Sequence, residues 1–201
     1  MPVCNQHKII FIHVPKTAGT TIEDALNLFQ VNNLYDKHGK LHNQSVTRQH
    51  LYGSEILEQC KINPKDYYIF SVVRNPYDRL VSAFHFIQNQ RNLYIPEKIK
   101  QMSFDNFIRC GFKMDKFERR YIFDGHLELQ TNYLDIDNIN IFKFENLQEC
   151  FDMLSARFNI DNFKHCLKCT VRKPWEEYYT PELKELVYNF YKEDFDRFKY
   201  P

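Results

Sequence analysis

The chain has 201 residues, of which 43% are hydrophobic and 16% aromatic, and its formal net charge is +1. This length and apolar content suffice for one buried core and argue against a disordered chain. The charge gives no general attraction to nucleic acid or to an anionic membrane, and no apolar run approaches the roughly 20 residues that a membrane-spanning helix needs. We therefore expect one domain over residues 1–201, cytoplasmic or soluble as given, with no nucleic-acid partner and no membrane segment in this chain.

Six cysteines are spread along the chain, and the N-terminal residues lack the apolar segment of a secretory signal. This distribution favours reduced thiols over a disulfide framework. Cys166 and Cys169 form a CxxC pair, but no second ligand pair at zinc spacing accompanies them. We interpret the pair as structural or incidental and expect no metal ion.

The segment from Lys8 to Leu28, KIIFIHVPKTAGTTIEDALNL, carries the first motif. Its β-branched and aromatic run predicts a buried strand, and Ile22, Ala25 and Leu26 lie on the apolar face of a predicted helix. The loop between them, PKTAGTT, has one Lys, one Gly and three Thr. Amides at a helix N-terminus, the helix dipole and the close approach that Gly permits all favour a bound anion. An ordinary turn whose threonines cap the helix is the alternative.

Residues 31–50 are polar and show no helical or strand period, which indicates a loop of functional length. This loop carries His38, His42 and His50. A short helix is predicted over residues 54–60, and Asn-Pro breaks it.

A second strand-to-helix junction follows. Residues 66–73, DYYIFSVV, predict a strand that is buried on both faces, as in a parallel sheet. Arg74 comes directly after it, Asn75 suits an N-cap, and Pro76 suits the first helical turn. Two such units predict a parallel sheet with ligands at the carboxyl ends of its strands. An ion pair with Asp78 is the alternative role for Arg74.

The rest of the chain predicts mainly helices and one more strand. The predicted elements are a capped helix over 103–110, a strand over 139–144, a helix through residue 158, a loop over 159–176 and a last helix opened by Thr180 and Pro181. The charges within residues 112–123 are interpreted as a solvated helix face.

The two junctions together resemble a known family. HVPKTAGTT resembles the 5′-phosphosulfate-binding loop of sulfotransferases that use 3′-phosphoadenosine 5′-phosphosulfate (PAPS), and FSVVRNPYDRLVSAF resembles their 3′-phosphate-binding strand and helix. FKFENL and the C-terminal helix extend the likeness to the Golgi-type carbohydrate sulfotransferases and their bacterial relatives. The resemblance implies an α/β, P-loop-like three-layer fold with a central, mainly parallel sheet flanked by helices, forming a single sulfotransferase domain.

The resemblance also implies PAPS as the donor. Lys16 would lie near the oxygen that bridges the 5′-phosphate and the sulfuryl group, while Arg74 as a bidentate fork and Ser82 by its hydroxyl would hold the 3′-phosphate. Late basic residues would lie over the nucleotide. The implied donor-binding residues are Pro15, Lys16, Thr17, Ala18, Gly19, Thr20, Thr21, Arg74, Ser82, Arg172 and Lys173.

On the acceptor side, a hydroxyl would attack sulfur in line, and it needs a general base, usually a His or a carboxylate. His50 is the first choice as this base, and His38 and His42 are alternatives on the substrate side. His126 falls in a segment that resembles the family's substrate side, and His13 is expected to support the loop. A glycan hydroxyl is the first acceptor to consider, while a small alcohol or a protein tyrosine stays open.

A P-loop kinase and a non-catalytic nucleotide-binding module are the alternative functions. A P-loop kinase needs its Lys after the second Gly of the motif, whereas Lys16 precedes Gly19, and Arg74 stands where an acidic residue would end the second strand. A non-catalytic nucleotide-binding module, which would keep the anion loops and lack the base, stays open. Animal relatives carry an N-terminal membrane anchor, so the Golgi lumen is the expected compartment if the sequence is a trimmed domain.

Overall fold

The computed structural model describes residues 3–28, 48–89, 95–161, 163 and 172–201. Its strands and helices are, in chain order, β1 (Val3–Cys4), β2 (Ile9–Ile12), α1 (Gly19–Ala25), α2 (Gly53–Cys60), β3 (Tyr68–Val73), α3 (Pro76–Asn89), α4 (Glu97–Lys100), α5 (Phe104–Lys113), α6 (Lys116–Ile122), α7 (Gln130–Tyr133), β4 (Asn140–Lys143), α8 (Leu147–Phe158), α9 (Pro181–Phe190) and α10 (Lys192–Phe198). Short 3₁₀ turns cover Arg48–His50, Pro64–Asp66, Phe144–Asn146 and Trp175–Tyr178.

The described residues divide into two compact units. The first unit contains those of residues 1–74 and 130–168, and the second contains those of residues 75–129 and 169–201. The first unit holds the sheet, and the second is helical.

The sheet has four strands in the order β1-β2-β3-β4. β2 pairs in parallel with β3, and β3 pairs in parallel with β4, whereas β1 is antiparallel to β2. The register places Phe11 opposite Phe70 and Ser71 opposite Ile141. The predicted α/β class with a mainly parallel sheet flanked by helices is therefore confirmed, and β1 is an added strand that the sequence did not predict.

The central strands are buried on both faces, as their near-continuous apolar sequence predicts. On one face, alternate residues of β2 and β3 pack with apolar residues of α1 and α8. The rings of Phe11 and Phe70 lie 5.0 Å apart within this cluster. β4 is instead largely exposed, with Ile141 at 39% exposure, as befits a strand at the end of the sheet.

The second unit has its own core of aromatic and aliphatic residues from α3, α4, α5, α9 and α10. Two buried arginines of this unit bind the residues that follow α6. The Arg79 guanidinium donates to the carbonyls of His126 (3.3 Å) and Glu128 (2.5 Å), and Arg119 Nε lies 3.1 Å from Glu128 Oε1. Because Arg119 is buried, the interpretation of residues 112–123 as a solvated face is wrong at this position, although Lys116 is exposed.

The predicted helix caps are present. Asn75 Oδ1 accepts from the Tyr77 amide at 2.9 Å at the start of α3, and Thr180 Oγ1 accepts from Leu183 at 3.2 Å at the start of α9. The single last helix expected from the sequence is interrupted at Tyr191, so that α9 and α10 are separate.

No helix among the described residues is long and apolar enough to cross a membrane. Cys4, Cys60, Cys110 and Cys150 are free thiols among the described residues. The CxxC pair of Cys166 and Cys169 lies outside the described residues.

Candidate functional site in the first unit

The loop between β2 and α1 has an unusual backbone. Lys16 has a φ of 70° and Ala18 a φ of 66°, so two non-glycine residues within three positions adopt the left-handed conformation. Such positions cost free energy and are concentrated at ligand-binding sites. Thr17 is buried, and its hydroxyl donates to the Val14 carbonyl at 2.8 Å, which closes the turn. The loop is therefore a tight, constrained cradle and not an ordinary capped turn: no side chain caps α1.

The backbone amides of this loop are arranged in a way that suits an anion. The Thr21 amide donates to the Ala18 carbonyl at 3.0 Å, whereas the amides of residues 17–20 donate to no residue in the described part of the chain. Alternating left- and right-handed backbone turns such amides toward a common concavity that suits an anion. Lys16 is half-buried and Thr20 exposed, so both are within reach of a ligand from solvent.

Position 19 requires a glycine for a structural reason that the sequence does not reveal. A Cβ on Gly19 would lie 2.0 Å from His13 Nε2 and 2.1 Å from His13 Cδ2. The His13 ring thus packs directly beneath the start of α1. The expectation that His13 supports the loop agrees with this packing, while the glycine is required by the histidine whatever the ligand.

His13 is itself held by a buried carboxylate. Its Nδ1 lies 3.0 Å from Glu23 Oε1, and Gln49 Nε2 donates to Glu23 Oε2 at 2.7 Å. Because an ionised carboxylate only accepts, the proton of this bond resides on His13 Nδ1. The His50 ring meets the His13 ring edge-on, with centroids 5.1 Å apart. Glu23, with only 2% exposure, is therefore the centre of a network that joins the loop to the His50 segment.

The pKa of Glu23 reflects this environment. Burial raises its pKa, but attraction to His13, the hydrogen bonds from His13 and Gln49, and attraction to His50 outweigh burial and hold the pKa below its ordinary value of 4.5. The carboxylate is therefore ionised at neutral pH.

Arg74 follows the last residue of β3 and is 6% exposed. Its Nη1 donates to the Lys16 carbonyl at 3.0 Å, and its guanidinium lies 3.9 Å from the centroid of the Phe144 ring. Arg74 therefore connects the carboxyl end of β3 to the loop after β2, as the parallel arrangement of the strands predicts. Asp78, the alternative partner considered from the sequence, accepts a hydrogen bond from Arg172.

The backbone of Arg74 is fixed by Gln130, whose role the sequence did not reveal. The fully buried Gln130 side chain accepts from the Arg74 amide and donates to the Arg74 carbonyl, each at 2.9 Å. This two-way bond replaces a strand partner at the point where β3 ends. Glu23 and Gln49 were missed as well. One signal was present for Glu23: it lies one turn after Gly19 and just before Leu26 on the inward side of α1, where a charge is unexpected.

Candidate residues in the second unit

Arg172 and Lys173, expected near the donor, line a cleft of about 740 Å³ in the second unit with His85, Glu177 and Tyr178. Arg172 donates to Asp78, while its Nη1 is buried without a partner in the described part of the chain. Lys173 forms an exposed pair with Glu177 at 3.7 Å, which contributes little.

His85 belongs to the same cleft and was not singled out from the sequence. Its Nε2 lies 2.7 Å from the Tyr178 hydroxyl. Burial, and then the positive charge of Arg172, lower the pKa of His85, so its neutral form is favoured at neutral pH.

The remaining predicted residues are placed as follows. Ser82 is half-buried on α3, and its hydroxyl has no partner among the residues that the structure describes. His126 is buried, donates from Nδ1 to the Phe123 carbonyl at 2.8 Å and stacks on Phe86. In the first unit, His50 ends a 3₁₀ turn and is 6% exposed. His38 and His42 lie outside the described residues.

Family membership

The fold and the loop after β2 define the class of this protein. This is an α/β protein in which a constrained loop joins the first parallel strand to a helix, with a buried arginine at the end of the next strand.

A family model described as "Sulfotransferase family" matches residues 1–201. The chain therefore belongs to the sulfotransferase family, and the resemblance drawn from its two junctions is confirmed. Membership supports transfer of a sulfuryl group to an acceptor that carries a hydroxyl. Comparison with curated proteins and with solved structures gave no significant match.

Proposed function

We propose that this protein transfers the sulfuryl group of PAPS to a hydroxyl, with a carbohydrate as the first acceptor class to test. The observation that carries the proposal is the loop from Lys16 to Thr21: its strained backbone, its Lys side chain, and the amides of residues 17–20, which donate to no described residue, suit the 5′-phosphosulfate end of the donor. Because the family model covers both compact units, we further propose that residues 1–201 work as one sulfotransferase domain.

Among the described residues, Lys16 and Arg74 bring two cationic groups to this loop. Lys16 supplies an ammonium whose role is to neutralise the negative charge that develops on the leaving oxygen. Arg74 contributes a guanidinium that is already ordered by the Lys16 carbonyl and by Phe144. A pre-ordered fork loses little conformational entropy when it binds a phosphate. Arg74 therefore has two roles in the proposal, which are to bind the 3′-phosphate and to hold the loop.

The donor supplies an activated sulfuryl group, and the protein's contribution is orientation and charge. His50 is the proposed general base, which takes the proton of the acceptor hydroxyl as its oxygen attacks sulfur. Its support for this role is its position: it follows Gln49 directly and contacts the ring of His13, so it is linked to the donor loop. Ser82, Arg172 and Lys173 stay proposed donor contacts, and His126 a proposed acceptor contact.

The proposal is tested by binding and turnover measured separately. Calorimetry with adenosine 3′,5′-bisphosphate reports the donor site, and radiolabelled PAPS with a panel of unsulfated polysaccharides, small alcohols and tyrosine peptides reports transfer. We expect Lys16→Ala to abolish transfer while the thermal unfolding temperature stays near that of the wild type. Lys65→Ala, an exposed lysine outside the loop, is the matched control and should be fully active. Binding without transfer to any acceptor would instead identify a nucleotide-binding module.

A further inference from the structure

Glu23 lies between the two segments on which the proposed chemistry depends. One of its oxygens faces His13, which packs beneath Gly19 of the donor loop. The other accepts from Gln49, the residue before His50. Both segments belong to the first unit, and the residue that joins them is a buried carboxylate and not an apolar side chain.

A carboxylate is well suited to this place. It accepts hydrogen bonds from two sides at once, because both of its oxygens are acceptors. A buried carboxylate is costly unless its oxygens are hydrogen-bonded, and here each oxygen has its own donor. The bonds are charge-assisted and therefore stronger and more directional than bonds between neutral groups. Small shifts of the carboxylate would be passed on to both partners.

We propose that Glu23 is a positioning residue that couples the donor loop to His50, a role that rests on the proposed function of the loop and of His50. Through His13 it supports the loop from below, and through Gln49 it fixes the backbone that presents His50. The edge-on contact between the His13 and His50 rings closes the same network on its third side. Glu23 does not touch the reacting atoms and acts only through these residues.

The bond between Gln49 and Glu23 predicts a loss of turnover that leaves donor binding intact. Gln49→Leu keeps the size of the side chain but removes the hydrogen bond to Glu23, so it releases the His50 segment and leaves His13 in place. Misplacing a catalytic group by about 1 Å is enough to cost on the order of 100-fold in rate. We therefore expect kcat to fall roughly 10- to 100-fold while the Kd for adenosine 3′,5′-bisphosphate is unchanged. Gln148→Leu is the matched control, because Gln148 Nε2 donates to Asp152 Oδ1 at 2.8 Å in an exposed side-chain pair on α8.

An exchange of the pair tests the bond itself. Gln49→Glu alone puts a second carboxylate against Glu23 and should lower kcat at least as much as Gln49→Leu does. In the double variant Glu23→Gln/Gln49→Glu, the new amide donates to the new carboxylate and still accepts from His13. We expect this double variant to recover most of the kcat that Gln49→Glu loses. Recovery is not expected if Glu23 only fills space.

The outcomes are distinguishable. A wild-type kcat in Gln49→Leu would overturn the proposal that Glu23 couples the donor loop to His50. A loss of kcat that appears only together with weaker nucleotide binding and a lower unfolding temperature would overturn it as well. Failure of the exchange to recover activity, in a variant that unfolds at the wild-type temperature, would also overturn it. If the wild-type protein neither binds adenosine 3′,5′-bisphosphate nor transfers sulfate, the proposed function fails, and this inference fails with it.

Discussion

Gly19→Ala should destabilise this protein although alanine is the better helix residue. The added Cβ would lie 2.0 Å from His13 Nε2, where ordinary contact begins at 3.4 Å, so the gap must open by about 1.4 Å. His13 cannot simply move away, because its ring stacks on Phe11 and its Nδ1 is bonded to Glu23. The clash is therefore with a ring that is held in place and not with the free end of a flexible side chain.

Two effects of opposite sign set the change in the free energy of unfolding for Gly19→Ala. Overpacking of this kind costs about 1–3 kcal/mol. Replacing glycine by alanine in a compatible helical backbone stabilises by about 0.4–1 kcal/mol, mainly by restricting the unfolded chain. The net expectation is a loss of roughly 0.5–2 kcal/mol, and for a chain of this length each kcal/mol lowers the unfolding temperature by about 2–4 °C.

A double-mutant cycle with His13→Ala tests the cause. Urea unfolding of the wild type, Gly19→Ala, His13→Ala and the double variant gives the cost of Gly19→Ala in each background. With the ring removed, the same substitution should become neutral or stabilising, a change of sign. An equal cost in both backgrounds would refute the steric reasoning, since it would mean that His13 is not what excludes a side chain at this position.

Three further outcomes follow from the structure. In calorimetry, Arg74→Ala should weaken the binding of adenosine 3′,5′-bisphosphate more than the binding of adenosine 5′-phosphosulfate. It should nevertheless weaken the binding of both, because the loop loses its hydrogen bond from Arg74. An unchanged affinity for adenosine 5′-phosphosulfate would show that Arg74 does not hold the loop. Because the folded-state pKa of Glu23 is below its ordinary 4.5, the ionised carboxylate stabilises the fold at neutral pH and this contribution is lost as pH falls through the folded-state pKa. Urea unfolding should therefore show a stability difference between wild type and Glu23→Gln that shrinks below about pH 4.5, whereas a constant difference would exclude an ionised Glu23 as its source. Burial raises the pKa of Cys150 to about 12. At pH 8 a thiol reagent should therefore label the half-buried Cys60, and should label Cys150 only after the protein unfolds. If mass spectrometry shows that both residues are labelled equally fast, Cys150 is accessible in the folded protein.

Much of the fold could be predicted because its signals are local. The apolar runs before Pro15 and Arg74 predict buried parallel strands, and both strands are present and pair in parallel with each other. Asn75 and Thr180 predict helix starts, and both cap as expected. β1 could not be predicted in this way, because a strand of two residues is too short to carry a period and depends on pairing with β2.

The sequence by itself determined which residue types stand at each strand end, and hence that the PKTAGTT loop and an arginine belong to one sheet edge. Only the tertiary structure decided what these residues contact. Gly19 is required by His13, Arg74 holds the Lys16 carbonyl, and Glu23 bridges the loop and the His50 segment. These contacts join residues up to 58 positions apart. Periodicity and capping rules act within a few residues along the chain, so they place each element but cannot assign partners that meet only after the strands have paired.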